Sequence, residues 1–265
     1  MAAKVIVLSG YGLNCEEETL HAFNHVGIDG NIIHINELIE NPKALDEYQI
    51  LAIPGGFSYG DDTGSGNAFA QKMKLALWDD LKKFVERDTL TIGICNGCQI
   101  LVNLGLAPAL NNYGERDVAV TYNATARYQC RWVDLKIESK SPWLKDIETL
   151  HIPVAHGEGR FMMEENALSK LKNNGQIAAQ YINTNGTLAN GEFPANPNGS
   201  INDIAAMTDK SGRVLAIMPH PERGMFTWQR DDYHELKDAA QRAGVELPEE
   251  SEGIQIFKNA VKYFA

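Results

Sequence analysis

Short apolar runs, each closed by a turn and followed by a helical pattern, constrain this chain more than any other feature. Residues 5–8 read Val-Ile-Val-Leu, residues 50–53 Ile-Leu-Ala-Ile and residues 91–94 Thr-Ile-Gly-Ile. Apolar runs of this length with no polar alternation belong to strands buried on both faces. After the first run, Asn14 stands at a helix start with Glu17 three residues on, the two halves of a capping box. The helix then runs to about Val26, where Gly27 ends it. Residues 31–35 form a second strand, and residues 68–87 and 97–104 have helical periodicity. Strands alternating with helices predict an α/β fold, a mostly parallel sheet flanked by helices.

The middle of the chain is less regular. Residues 130–138, 151–154 and 177–181 have strand character, and residues 183–200 are a loop rich in Asn, Gly and Pro. Residues 204–208 and 214–218 flank the turn Asp209-Lys210-Ser211-Gly212, which predicts a hairpin. Residues 228–252 are polar and charged, and residues 253–264 form a closing amphipathic helix. With 265 residues, 44% of them hydrophobic, the chain can bury one sizeable core. The expectation is a single domain over 1–265, with a C-terminal extension from about residue 228.

The formal net charge of -11 repels phosphate backbones and argues against a nucleic-acid partner. No apolar run is long enough for a membrane span or a signal-peptide core. The four cysteines, Cys15, Cys95, Cys98 and Cys130, lie in no disulfide-scaffold pattern. The expected setting is cytoplasmic, with reduced thiols.

The sharpest chemical signal is Gly93-Ile94-Cys95-Asn96-Gly97, between a buried strand and a helix. It has the form of a nucleophile elbow with cysteine in the place of serine. The glycines allow a tight turn, and the helix N-terminus behind it favours the thiolate. A thiol at neutral pH still needs a base. Two other readings of Cys95 stay open on this motif alone: a small buried residue, or one half of the redox pair Cys95-Asn96-Gly97-Cys98. Zinc is disfavoured, since no second cysteine pair lies at finger spacing.

Met218-Pro219-His220-Pro221-Glu222-Arg223 supplies the base. Two prolines stiffen the loop, so His220 can take the thiol proton while Glu222 accepts the other imidazole N–H. Gly55-Gly56-Phe57-Ser58-Tyr59-Gly60-Asp61 follows a strand on the same sheet edge. Its backbone, with the N–H of Asn96, can face a developing oxyanion. No Gly-Lys-Ser/Thr follows it, which disfavours a phosphate loop. His156-Gly157-Glu158-Gly159-Arg160-Phe161 offers charges for the α-amino and α-carboxylate groups of an amino acid, or is a solvated turn.

In this order the four motifs resemble those of the class I glutamine amidotransferases. They are most similar to the glutaminase subunits of phosphoribosylformylglycinamidine synthases, from about Lys4 to Thr227. The resemblance implies a flavodoxin-like sheet and a Cys95–His220–Glu222 triad that splits glutamine through a thioester. It places Gly55, Gly56, Phe57, Asn96, Gln99, His156 and Gly157 around the substrate and its oxyanion. It implies no cofactor or metal in this chain, ATP and Mg in a partner synthetase subunit, and a small accessory subunit. The product would serve conversion of formylglycinamide ribonucleotide to its amidine in purine synthesis. Two stretches depart from the family pattern: Ser9-Gly10-Tyr11-Gly12-Leu13-Asn14-Cys15 is longer than the usual Pro-Gly-Ser-Asn-Cys, and Thr63-Gly64-Ser65-Gly66 replaces Leu-Arg-Ala-Gly. The glutaminase of another amidotransferase and a Cys-x-x-Cys thiol redox protein are the alternatives.

Overall fold

The computed structural model describes residues 3–61 and 64–265. Met1, Ala2 and Thr63, the first residue of the second departing stretch, lie outside them. The three apolar runs become β1 (Lys4–Ser9), β3 (Ile50–Ile53) and β4 (Leu90–Ile94). Every residue of β3 and β4 is buried, as continuous apolar runs require. The polar β2 (Asp29–His34) takes the sheet edge, where Ile32 is exposed.

Among the described residues nine strands form one sheet in the order β2-β1-β3-β4-β11-β10-β9-β6-β7. From β2 to β11 (Val214–Ile217) all neighbours are parallel. The remaining pairings are antiparallel and run through β10 (Ile204–Thr208), β9 (Ile177–Ile182), β6 (Gln129–Ile137) and β7 (Thr149–His156). The expected hairpin is present, with Met207 opposite Ala216. Doubly wound sheets of this order place ligands outside the carboxyl ends of the parallel strands. All but one of the sequence motifs fall at those ends.

Helices cover both faces, because right-handed crossovers leave β1 and β3 in opposite directions across the sheet. The helix α1 (Glu16–His25) buries Thr19, Ala22 and Phe23. A longer helix, α3 (Asn67–Glu86), buries a stripe from Phe69 to Val85 at helical spacing. Nearly all of α4 (Asn96–Leu104) is buried. Its close seat on the sheet depends on Gly97, where an added Cβ would lie 1.8 Å from the Ile53 carbonyl oxygen.

The expected capping box at Asn14 and Glu17 does not form. Cys15 is the N-cap of α1 and caps with no side-chain bond. The amides of Asn14 and Cys15 are spent on the Gly55 carbonyl, at 3.1 and 3.3 Å. The second strand also ends earlier than expected. Ile35 opens α2 (Ile35–Glu40), with His34 Nδ1 accepting the Asn36 amide at 3.1 Å. Further elements unmarked in the sequence are the small pair β5 (Ala119–Thr121) and β8 (Arg160–Met162), α5 (Glu165–Asn173) and α6 (Tyr233–Ala243).

The last helix, α7 (Ile254–Phe264), buries Ile256, Phe257 and Ala260. Phe257 meets Phe23 of α1 edge-on at 5.0 Å between ring centroids. The side-chain amide of Asn259 donates to the carbonyls of Trp143 and Lys145 at 3.1 and 2.7 Å. Among the described residues no helix is long and apolar enough to cross a membrane.

Candidate active site

Cys95 sits where β4 turns into α4, with φ 50° and ψ −104°. A side-chain-bearing residue holds such dihedrals only when its surroundings fix it. Its amide donates to the Ile217 carbonyl at 2.8 Å, and a Cβ at Gly93 would lie 2.4 Å from the Gly97 oxygen. The thiol lies at the N-terminus of α4, 3.7 Å from the Ala155 carbonyl. Cys98 faces the core with no exposed surface, and burial, then the neighbouring Cys95, pushes its thiol well above the ordinary range. A redox pair would need α4 to move before Cys98 could react.

His220 and Glu222 follow β11, the strand beside β4. The His220 amide donates to Pro153 of β7 at 2.8 Å, and Pro221–Arg223 form a 3-10 turn. His220 Nδ1 and Glu222 Oε1 are 2.6 Å apart, and both residues are 1% exposed. Burial alone would lower the imidazole pKa. The Glu222 carboxylate and the Cys95 and Cys15 thiols outweigh it and hold His220 well above its ordinary value. Among the described residues Nε2 has no partner at hydrogen-bond distance, and the Cys95 and Cys15 thiols lie close enough to act on the ring.

Gly55 lies at the centre of this group. An added Cβ would stand 2.7 Å from His220 Cε1, 3.1 Å from Cys15 Sγ and 3.5 Å from Cys95 Cβ. Gly56 pairs with Leu13, and a Cβ there would meet the Gly12 oxygen at 2.4 Å. The Phe57 amide donates to that same Gly12 oxygen at 2.8 Å, so in this conformation it is not aimed at an oxyanion. The phenyl ring of Phe57 is exposed at the mouth beside Tyr128, with centroids 6.1 Å apart. Asn96 is the first residue of α4, where an amide has no acceptor inside the helix. Its side chain accepts the Ser58 amide at 3.2 Å.

Gln99 links two motifs: Oε1 accepts from Asn96 Nδ2 at 2.7 Å, and Nε2 donates to the Glu158 carbonyl. The Glu158 carboxylate accepts the Ser65 amide at 3.2 Å. His156 occupies the inward phase of β7, following Leu150, Ile152 and Val154. Burial, then repulsion from His220, holds its pKa down to about 3. The ring is therefore neutral at physiological pH and carries none of the charge that the motif offers. Nor does Arg160 point at the thiol: its Nε donates to the Gly199 carbonyl at 3.0 Å. Gly157 accepts the Asn123 amide at 3.0 Å and lies beside Tyr128.

Three participants carried no sequence signal of their role. Asn123 binds the His156 ring, the His156 carbonyl and the Gly159 amide, at 3.2, 2.9 and 3.0 Å. Cys15 and Arg223 meet beside the triad, with Nη2 2.9 Å from Sγ. Among the described residues two clusters have metal-ligand spacing, Cys15–His220–Glu222 and His151–Asp231–Asp232. In each an arginine already binds a candidate ligand atom: Arg223 on Cys15, and Arg230 on Asp232 at 2.7 and 2.8 Å. The site is nearly closed, with Cys95 only 5% exposed. A groove of about 580 Å³ lies between residues 146–150 and 247–258, and Cys95 does not line it.

A family model described as a CobB/CobQ-like glutamine amidotransferase domain matches residues 2–264. The chain belongs to this family. A relative from Methanococcus maripaludis, named phosphoribosylformylglycinamidine synthase subunit PurQ, is 51% identical over 98% of this chain and 97% of its own length. A protein of the same name from Dehalococcoides mccartyi is 39% identical over 98% of this chain and 97% of its own. Among solved structures, PurLQS from Thermotoga maritima matches with a TM-score of 0.71 and 27% identity, covering 100% of both chains.

Proposed function

We propose that this chain is the glutaminase subunit of a phosphoribosylformylglycinamidine synthase. The observation that carries the mechanism is the buried His220–Glu222 pair, 2.6 Å apart, beside the strained elbow of Cys95. Cys95 gives up its proton to His220 Nε2 and attacks the side-chain amide carbon of glutamine. The Asn96 amide and the Gly55–Gly56 backbone face the oxyanion that forms. Collapse of the intermediate breaks the C–N bond, and the leaving nitrogen takes the proton from His220. Ammonia departs, leaving a glutamyl thioester on Cys95. Water, deprotonated by His220, then releases glutamate and restores the thiol. Glu222 holds the imidazole in one tautomer throughout.

Gln99, His156 and Gly157 shape the glutamine pocket as uncharged hydrogen-bonding groups. A synthetase subunit with its ATP and Mg consumes the ammonia to convert formylglycinamide ribonucleotide to its amidine, and a small third subunit completes a cytoplasmic assembly. This reading is supported by the names of the relatives at 51% and 39% identity. The test is amidine formation by the reconstituted complex, wild type against Cys95→Ala, with glutamine or ammonium chloride as nitrogen source. Cys95→Ala should lose the glutamine-dependent reaction and keep the ammonium-dependent one. Loss of both would refute the division of labour.

A further inference from the structure

We propose that Cys15 is a positioning residue for glutamine hydrolysis, holding the Arg223 guanidinium so that the loop bearing His220 and Glu222 keeps its imidazole aimed at Cys95. The inference rests on the glutaminase reading above. It starts from a contact between residues 208 positions apart: Arg223 Nη2 donates to Cys15 Sγ at 2.9 Å. The sulfur is deeply buried, and Sγ, a His220 ring nitrogen and a Glu222 carboxylate oxygen all lie within 4.8 Å of one another.

The sulfur is held from its own side. The Cys15 amide donates to Gly55 at 3.3 Å, and its carbonyl accepts the Thr19 amide and hydroxyl at 3.0 and 2.7 Å. The thiol is thus a fixed point on the N-cap of α1. Arg223 ends the 3-10 turn after His220, and its amide donates to the His220 carbonyl at 3.2 Å. Whatever holds the guanidinium therefore holds the backbone of the base. The other flank of the loop meets Gly253, whose amide donates to Gly224 at 3.1 Å and where a Cβ would stand 2.4 Å from the Pro221 oxygen. One flank is fixed by backbone contact and the other by Cys15. With the thiol gone, what remains for Arg223 is the charge of Glu222 and the partly exposed Glu18, 4.0 Å away. Moving to Glu18 would draw the loop outward. Among the described residues Glu222 Oε2 is buried with no hydrogen-bond partner, so it is the Oε1 contact with His220 that ties the carboxylate in place.

The test uses Cys15→Ala, Cys15→Ser and Arg223→Gln in the full chain. One measurement is kcat and KM for glutamine in the assembled enzyme. The other is the rate at which iodoacetamide alkylates Cys95 in the free chain, followed by peptide mass spectrometry across the neutral pH range. Cys15→Ala should lower kcat by roughly ten- to a hundredfold, as expected for a base moved by a fraction of an ångström, with KM little changed. Alkylation of Cys95 should slow in parallel and its pH profile should shift. Arg223→Gln should reproduce both effects. Cys15→Ser, whose hydroxyl still accepts from Arg223, should recover most of the loss. Wild-type kcat and alkylation in Cys15→Ala or Arg223→Gln would overturn the proposal, as would no recovery in Cys15→Ser or a loss confined to KM. If Cys15→Ala does not fold, the serine and Arg223 variants decide. Alkylation needs neither glutamine nor partner, so an altered profile in a chain without glutaminase activity would sink the functional reading and leave the positioning role standing.

Discussion

The two halves of the sheet handle their site residues differently. The parallel half, from β2 to β11, presents Cys95, Gly55 and His220 on tight turns at strand ends, where backbone approaches backbone and little else fits. The antiparallel half, from β10 to β7, carries His156 on a strand face and holds it through side chains such as Asn123. One half fixes geometry by excluding atoms, the other by hydrogen bonds. The strained cysteine sits on the first, and the histidine held by side chains on the second.

Glycine substitution is the harshest way to break this comparison. Gly97→Ala should prevent folding or cost more than about 4 kcal/mol, since its Cβ would stand 1.8 Å from a backbone oxygen. Gly175→Ala, between α5 and β9, has nothing within 4 Å and only its φ of +66° against it. It should cost about 1–2 kcal/mol. Denaturant unfolding of both variants gives the answer, and equal costs would dissolve the contrast.

Removing the proton-moving group comes next. His220→Asn should slow glutamine hydrolysis by about a thousandfold or more. Glu222→Gln should keep roughly ten- to a hundredfold more activity than that, because it orients the base and moves no proton itself. Steady-state assays of the assembled enzyme decide the order. Reversed ranks would give Glu222 a direct part in proton transfer.

The smallest effect sharpens the other half. His156 is held neutral in the folded chain down to about pH 3, whereas in the unfolded chain it protonates near its ordinary value of 6.5. Between those values the unfolded state binds the extra proton. Stability is therefore full above 6.5 and falls as the pH drops, by up to about 1.4 kcal/mol per pH unit from this group. His156→Gln should flatten that acid limb in thermal unfolding curves. An unchanged acid limb would show that His156 meets solvent.

What could be read from the sequence follows the same division. Residues 5–8, 50–53 and 91–94 are apolar because both faces are covered, and the elbow and His-Pro-Glu motifs are written in adjacent residues. The contacts of Asn123 and the meeting of Cys15 with Arg223 join segments far apart in the chain, and no local pattern encodes them. The capping box failed for a related reason: the amide it required was claimed by Gly55, a partner visible only in three dimensions. The elements α5 and α6 are polar on most of their surface and bury only Leu168 and Leu171, and Ala240, so their apolar stripes were too thin to mark them.

The near-burial of Cys95 also bears on how such an enzyme ages. Reactive thiols are lost by stepwise oxidation, and the later steps are irreversible. Peroxide must reach the sulfur to begin that sequence, and here only 5% of the residue is open to solvent. The closed mouth shelters the thiol that stands on the elbow. The exposed Cys130 is the cysteine that solution oxidants meet first.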